Sequence, residues 1–259
     1  MKLIKLFGHI LFIVILSVVT QIGGLIWLIA VLISIKIKKQ KRIVFPLLYL
    51  IFNLLLVPPI ASFFGRERLP VFHNYIKPIN WFYPLTFRNY VKPELKKSLL
   101  KSSIDLAHLD IRITYLDANF PFFDGFPLLP HLSHDDGKKI DISFAYKDIK
   151  GNRTDKKPSI SGYGAYVYST NLTSLECIKK GYWQYDFTKH LTFGIQSKLN
   201  FDTENTKTLI QGLLYNSKID KVFLEPYLKK ELGLSNYKKI RFHGCQAVRH
   251  DDHIHLQIR

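Results

Sequence analysis

Cysteine is scarce in this chain of 259 residues, which contains only Cys177 and Cys245. Neither has a second cysteine in a Cys-x-x-Cys arrangement, so a zinc knuckle of the thiolate type is excluded. The two residues could pair in an oxidising compartment, but sequence alone does not show whether their geometry allows a disulfide. Their pairing is therefore left open.

Acidic residues are absent from the start of the chain, because all 20 of them lie after Phe64. Apolar residues fill this part in two runs, 3–35 and 43–64. Each run exceeds the roughly 20 apolar residues that a helix needs to cross a bilayer. The first is also too long for a signal peptide. Residues 1–65 are therefore predicted to form an anchor of two transmembrane helices, unless a break at residues 21–24 divides the first run into two short passes.

Basic residues indicate the orientation of such an anchor in the membrane. Five of them lie at positions 36–42, between the two apolar runs, and the positive-inside rule places this loop in the cytoplasm. With two helices, both termini would face outward and the C-terminal part would be extracytoplasmic, in the periplasm. A break in the first run would invert the topology.

The part of the chain beyond the anchor is basic. Seven of the 37 basic residues belong to residues 1–65, so 30 remain against 20 acidic residues, a net charge of +10. Outside a membrane, this charge would suit anionic lipid head groups or cell-wall polymers, and nucleic acid is not expected there. A solvated surface without a specific partner explains the charge equally well.

Two further regions follow the anchor. Residues 66–94 are rich in aromatic residues and proline, which is typical of a juxtamembrane linker. Residues 95–259 are numerous enough for one compact domain. Strands are predicted from alternation at 108–115, 139–146, 163–168, 191–195 and 253–258, and helices at 204–216 and 226–232. This mixture predicts an α+β fold with a small, mainly antiparallel sheet and flanking helices.

Histidines and a carboxylate form a candidate metal site. His253 and His255 alternate on the last predicted strand, so both side chains can point to one place. Upstream, His134 and Asp141 stand seven positions apart. Together His134, Asp141 and His255 would supply two imidazoles and a carboxylate without sulfur. Such a set is typical of a catalytic zinc site that keeps one position open for water.

Other polar residues near the C-terminus are candidates for catalysis. His253 could act as a general base or stabilise a charged intermediate. His250 and Asp252 could transfer protons or orient the ligands. Among ten histidines, either half of the metal motif could also arise by chance. We interpret His131 and His243 as ordinary surface or core histidines.

The two half-motifs together resemble those of the penicillin-insensitive murein endopeptidases. They read Ser-His-x-x-Gly-x-x-x-Asp at 133–141 and His-Asp-x-His-x-His at 250–255, and a looser similarity covers residues 105–259. This family belongs to a group of zinc peptidases that includes lysostaphin, the D-Ala-D-Ala carboxypeptidases and the hedgehog signalling domain. The resemblance therefore implies a hedgehog-like fold.

The resemblance also assigns roles to individual residues. It implies that Zn²⁺ is bound by the three residues of the candidate site, His134, Asp141 and His255. It further implies that His253 acts in catalysis with support from His250. Asp252 becomes a second candidate base, because it stands where related carboxypeptidases hold a catalytic Glu.

Three features depart from the family pattern. Members are soluble periplasmic enzymes with several cysteines, whereas this chain has two cysteines and a predicted anchor. A basic residue often stands where this chain has Leu132, and residues 120–130 are unusually rich in Phe and Pro. These departures bear on which bond is cleaved more than on which residues bind the metal.

The function implied is that of a membrane-anchored zinc metallopeptidase, which hydrolyses amide bonds in peptidoglycan stem peptides or cross-links. One alternative is a non-catalytic, zinc-containing module that binds the cell wall or a partner. Another is a metal phosphohydrolase of the His-Asp type, suggested by the doublets at 134–135 and 250–251, although that fold is all-helical. The sequence does not distinguish an endopeptidase from a carboxypeptidase, nor does it indicate the oligomeric state.

Overall fold

The computed structural model describes residues 2–259 of the chain. Within that range the α-helices are α1 (Lys2–Thr20), α2 (Gly23–Lys36), α3 (Lys41–Ile51), α4 (Val57–Phe63), α5 (Phe82–Leu85), α6 (Pro93–Ala107), α7 (Leu172–Lys179), α8 (Thr203–Leu214) and α9 (Pro226–Glu231). The strands of the same residues are β1 (Glu67–Arg68), β2 (Ile76–Pro78), β3 (Tyr90–Val91), β4 (Ile113–Tyr115), β5 (Lys139–Ser143), β6 (Tyr146–Lys147), β7 (Arg153–Thr154), β8 (Asn200–Phe201), β9 (Ile219–Phe223), β10 (Ile240–Arg241) and β11 (His253–Ile258). They fall into two compact units.

The helical unit comprises residues 2–69, 83–93 and 118–137. Two of its helical segments, Leu3–Thr20 and Lys41–Phe63, are long and apolar enough to span a membrane, as predicted. The first apolar run is not one helix, however. Helix α1 ends at Thr20 and α2 begins at Gly23. Between them, Gln21 lies in the left-handed region at φ +66°. At 14 residues, α2 is shorter than the roughly 20 residues of an ordinary span.

A π-helical turn, Phe52–Leu56, joins α3 to α4 within the second candidate span. It carries Asn53, a polar residue that is nevertheless buried. The Asn53 amide nitrogen donates to the carbonyl of Pro84 at 2.9 Å, and its oxygen accepts from Arg68 Nη2 at 3.0 Å. Because both ends of the amide have partners, its burial in an apolar helix carries no unsatisfied group.

The core of the helical unit is built from both helical and loop residues. One cluster of buried apolar side chains consists of Ile26, Val57, Ala61, Phe87, Tyr90 and Phe122. The last three belong to residues 83–93 and 118–137, which the sequence assigned to the linker and to the C-terminal domain. The boundaries of the compact units therefore differ from the predicted divisions at 65/66 and 94/95.

The sheet unit comprises residues 70–82, 94–117 and 138–259. Its larger sheet has the strand order β10-β9-β11-β5-β4-β2. Pairing is antiparallel for β9 with β11, β11 with β5 and β5 with β4, whereas β10–β9 and β4–β2 are parallel. A smaller sheet has the order β7-β6-β8. The predicted α+β class with a mainly antiparallel sheet is confirmed, while the hedgehog-like fold stays a prediction.

Alternation along β11, which pairs with both β5 and β9, separates its side chains onto two faces. Ile254, Leu256 and Ile258 are buried on one face, and His253 and His255 lie on the other. The sheet thus has an apolar side for the core and a side that carries the histidines.

Helices α6 and α8 pack closely in the same unit, because Gly212 leaves room where a Cβ would lie 2.6 Å from a methyl of Leu106.

Several predicted elements are confirmed and others are wrong. Helices α8 and α9 and strand β11 lie where the sequence places them, and Gly233 ends α9 at φ +65°. The strand at 108–115 is confined to β4, and that at 139–146 ends at Ser143. The helices α6 and α7 were not predicted.

Two of the predicted strands are not strands at all. Residues 163–168 form a loop. Residues 191 and 192 end a 3₁₀ segment, Trp183–Thr192, and 193–195 follow it as a turn and irregular chain. Both stretches contain aromatic and β-branched residues, which favour strands. Glycines with positive φ, at Gly164 and Gly194, turn the chain before a ladder can form.

The pairing of the two cysteines is also decided by the fold. Cys177 on α7 forms a disulfide with Cys245, which follows β10, and their Cα atoms are 5.2 Å apart. The bond closes a sequence separation of 68 residues within the sheet unit.

Candidate metal centre

Asp141 and His255 face each other on neighbouring strands. The antiparallel register of β5 and β11 places these two residues directly opposite, so their side chains project from the same face. The Nδ1 atom of His255 lies 2.9 Å from Oδ1 of Asp141, and both side chains are buried. Two predicted ligands, 114 positions apart in sequence, are therefore neighbours because of strand pairing.

His134 is held by its own loop. This buried residue lies in the irregular segment 118–137, and its Nδ1 is 2.8 Å from the carbonyl oxygen of Ala118. A carbonyl oxygen only accepts a hydrogen bond, so Nδ1 must carry the proton. Nε2 is then the nitrogen with which His134 could bind a metal, an arrangement common among metal-binding histidines.

The three predicted ligands form one buried group that could hold a metal ion. Ligand atoms of His134, Asp141 and His255 all lie within 4.8 Å of one another. Two ligands of one zinc ion, each at about 2.0–2.2 Å from it, are roughly 3.5 Å apart, so a small contraction would suffice. The donor set of two imidazoles and one carboxylate fits zinc and leaves a coordination position for water.

Tyr163 holds the second oxygen of the Asp141 carboxylate. Its hydroxyl donates to Oδ2 at 2.7 Å and accepts from the backbone N–H of Asp117 at 3.2 Å. Its ring also lies edge-on to the His253 ring, with centroids 5.0 Å apart. This role has no signal in the sequence, where Tyr163 is part of a predicted strand. Tyr163 orients a predicted ligand.

His253 lies between two carboxylates. Its Nδ1 is 2.5 Å from Oδ1 of Asp252, and its Nε2 is 3.7 Å from Oδ1 of Asp141. Burial disfavours the charged ring, but these carboxylates outweigh that effect and raise the pKa of His253 to about 9. Because the bond to Asp252 requires a proton on Nδ1, the nitrogen that gains or loses a proton is Nε2.

Asp252 is fully buried and contacts two donors. Its Oδ1 faces His253, while its Oδ2 accepts from the backbone N–H of Gly164 at 2.5 Å. Gly164 has φ +77°, and a Cβ there would lie 2.3 Å from the carbonyl oxygen of Thr188. Only glycine fits this close approach. Among the roles considered for Asp252, these contacts favour the orientation of His253.

His250 and His243 extend the cluster. The buried ring of His250 lies 5.0 Å from that of His253 and 5.6 Å from that of His255. Burial, and then the neighbouring histidines, hold the pKa of His250 well below its usual value. The exposed His243, interpreted above as an ordinary histidine, lies 5.6 Å from His250. It belongs to no motif, so only the fold reveals it.

Arg249 and Asp251 fasten the turn that precedes β11. The buried guanidinium of Arg249 donates from Nε to Oδ1 of Asp251 at 2.7 Å, and it stacks 3.8 Å from the centre of the Tyr166 ring. The hydroxyl of Tyr227 donates to the other oxygen of Asp251 at 2.7 Å. Asp251 therefore has a structural role, and this argues against the doublet at 250–251 as a metal-binding His-Asp motif.

All six predicted site residues lie in this region. Three form the group that could hold a metal, and His253, His250 and Asp252 surround it through the contacts given above. Comparison of the chain with protein-family models and with curated proteins finds no match. Its function is therefore argued from the geometry of these side chains.

Proposed function

We propose that the chain is a membrane-anchored zinc metallopeptidase, which hydrolyses amide bonds in peptidoglycan stem peptides or their cross-links. The observation that carries this proposal is the buried, sulfur-free group of His134, Asp141 and His255. An oriented His253 lies beside it, with Nε2 3.7 Å from Asp141. A structural zinc site would more often be closed by thiolates.

The chemistry would be divided between the ion and the side chains. Bound zinc would polarise a scissile carbonyl and lower the pKa of its water to about 7. His253 would hold or pass a proton at Nε2, because Asp252 keeps its Nδ1 protonated. His250, whose pKa is held well below its usual value by burial and then by the neighbouring histidines, would stay neutral beside His253. Tyr163 would keep the Asp141 carboxylate in place.

The substrate class follows from the location of the chain. If the basic loop at 36–42 is cytoplasmic, α3 and α4 lead outward and the residues after Phe64 lie in the periplasm. Peptidoglycan is the polymer at that location, and its stem peptides offer both amide bonds and carboxylates. The net charge of +10 beyond residue 65 would favour such an anionic substrate.

A peptidase assay with mass spectrometry tests the proposal. The full chain should be used in detergent, because residues 83–93 and 118–137 group with the apolar helices. Cross-linked muropeptides are incubated with the chain, with the chelated chain, and with the chelated chain after addition of zinc. We expect cleavage that is lost on chelation and restored by zinc. The products would distinguish an endopeptidase from a carboxypeptidase.

Ligand variants provide the matched comparison. His134→Ala and His255→Ala are expected to lose both zinc and activity, whereas His108→Ala, at an exposed position, should retain both. If both ligand variants kept full zinc content and activity, the proposal would be wrong.

One observation favours an alternative, because the six predicted site residues are all buried. Such enclosure suits a non-catalytic module that retains zinc for structure and binds the wall or a partner. Bound zinc without any turnover of muropeptides would support this alternative. A His-Asp phosphohydrolase is not favoured, since Asp141 and His255 project from strands and Asp251 is paired with Arg249.

A further inference from the structure

The turn between α1 and α2 holds a loop of the helical unit. The side-chain amide of Gln21 accepts from the backbone N–H of Phe122 at 2.9 Å and donates to the carbonyl of Phe122 at 3.1 Å. Gln21 is itself in the left-handed conformation, at φ +66°. One side chain thus satisfies both backbone groups of a buried residue in segment 118–137, which we call the His134 loop.

Arg66 fastens the same loop from the end of the second candidate span. The buried side chain lies three positions beyond Phe63, and its Nη1 donates to the carbonyl of Phe120 at 3.2 Å. Its Nη2 donates to the carbonyl of Asp135 at 3.3 Å and pairs with the carboxylate of Asp124. Both ends of the His134 loop are therefore hydrogen-bonded to a residue that follows the second candidate span.

Exposed aromatic rings continue from that helix onto the loop. Phe63, the last residue of α4, is 89% exposed, and Phe123 in the loop is 62% exposed. The ring of Phe64 packs against those of Phe122 and Phe123, with centroids 5.0 and 5.4 Å apart. Large exposed rings are costly in water but suit the membrane interface, where aromatic residues are enriched.

We propose that Phe63, Phe64 and Phe123 form one lipid-contacting surface, which seats the His134 loop in the outer face of the bilayer. This inference rests on the proposed membrane anchor. The partner is lipid, because the Phe64 ring contacts the Phe123 ring directly and the surface continues the apolar helix Lys41–Phe63. The carboxylate of Asp124, next to Phe123, is paired with Arg66 and Lys92. The loop that supplies His134 then lies at the membrane, and the substrate is stem peptide close to the bilayer.

Fluorescence quenching by lipid tests this surface. The full chain is reconstituted in vesicles of phosphatidylethanolamine and phosphatidylglycerol after labelling of Phe123→Cys with an environment-sensitive fluorophore. Cys177 and Cys245 are joined to each other, so the introduced thiol is the one to react. The matched control is Tyr215→Cys, an aromatic position in the sheet unit that is 86% exposed. Ile60→Cys on α4 reports the span itself.

Lipids that carry a nitroxide near the head group serve as quenchers. We expect at least twofold stronger quenching at positions 123 and 60 than at 215. Quenching at 60 with position 123 equal to 215 would overturn the inference and leave the anchor intact. Equal, weak quenching at all three would overturn both. Muropeptide cleavage by the same preparations is read separately, so a failure of the peptidase proposal remains distinguishable.

Discussion

At the scale of single residues, Asp252 determines how His253 is presented. One carboxylate oxygen faces Nδ1 of His253 and the other accepts from the N–H of Gly164, each at 2.5 Å. An asparagine side chain has one acceptor oxygen and a donor amide, so it cannot accept from both partners. The substitution would keep the volume but disturb either the tautomer or the orientation of the imidazole.

We expect Asp252→Asn to lower the rate of muropeptide cleavage about 10- to 100-fold, as is common when the partner of a site histidine is lost. Zinc content should stay at the wild-type level, because Asp252 is not in the ligand group. The measurements are kcat and metal analysis of the purified chain. Asp105→Asn, at an exposed position of α6, is the control. An unchanged kcat would contradict the positioning role.

A second residue-scale prediction concerns the protons that zinc displaces. The Nδ1 proton of His255 points to Asp141 at 2.9 Å, and a metal shared by this group competes with such protons. A cation at Asp141 would also lower the pKa of His253, which is about 9 without metal. Between pH 6.5 and 9 the His253 proton is therefore held in the metal-free chain and released on binding.

Calorimetry of zinc binding at pH 8, in buffers with different ionisation enthalpies, gives the number of released protons. We expect about one to two protons for the wild type, and fewer for His253→Gln. His243→Ala, which alters a histidine outside the ligand group, is the control and should match the wild type. Equal proton release in all three chains would show that His253 does not sense the metal.

At the scale of elements, a disulfide ties helix α7 to the connection between β10 and β11. Cys245 is two positions from His243, the exposed imidazole beside His250. The bond therefore restrains the segment that brings His243 into the cluster. Closing 68 residues of chain also removes entropy from the unfolded state, by roughly 4 kcal/mol in the chain-entropy account.

Replacing both cysteines, in Cys177→Ser with Cys245→Ser, is expected to destabilise the chain by roughly 2–5 kcal/mol. The thermal midpoint should fall accordingly, and reduction of the wild-type chain should reproduce the fall. Reductant added to the double variant is the control and should change nothing. A wild-type midpoint that is insensitive to reduction would contradict a stabilising disulfide.

At the scale of the whole molecule, the break at Gln21 changes the expected position of the N-terminus. If loop 36–42 is cytoplasmic and the short helix α2 crosses the bilayer, α2 begins outside and α1 begins in the cytoplasm. The contact of His9 Nε2 with Lys41 Nζ at 3.0 Å agrees, because it brings the first half of α1 to the start of α3. With loop 36–42 in the cytoplasm, the break therefore inverts only the N-terminal end, and the residues after Phe64 remain outside in either case.

Reporter fusions check this topology. We expect a fluorescent protein fused to the N-terminus to mature in the cytoplasm, and alkaline phosphatase fused after residue 259 to be active outside. Phosphatase fused within residues 36–42 is the control and should be inactive. An active N-terminal phosphatase fusion would instead indicate the two-helix arrangement, in which both termini face outward.

Features that depend on local sequence pattern could be predicted without the fold. Alternation identified β11, and helical periodicity identified α8. Apolar length identified the span Lys41–Phe63 and, within a longer predicted run, Leu3–Thr20. Motif spacing brought His134, Asp141 and His255 together as candidate ligands, and the fold confirms that they form one group. The helices and strands are local because neighbouring side chains and backbone geometry are enough to produce them, whereas the three candidate ligands are brought together by the fold.

Features that depend on contacts between distant parts of the chain could not be predicted in this way. Strand pairing places Asp141 opposite His255. Tyr163 reaches Asp141 from a glycine-containing loop that was predicted to be a strand. The pairing of Cys177 with Cys245 and the attachment of Phe122 to Gln21 are likewise long-range. The physical reason for these long-range contacts is burial. A polar or reactive group that is removed from water needs a partner, and the fold decides which residue supplies it.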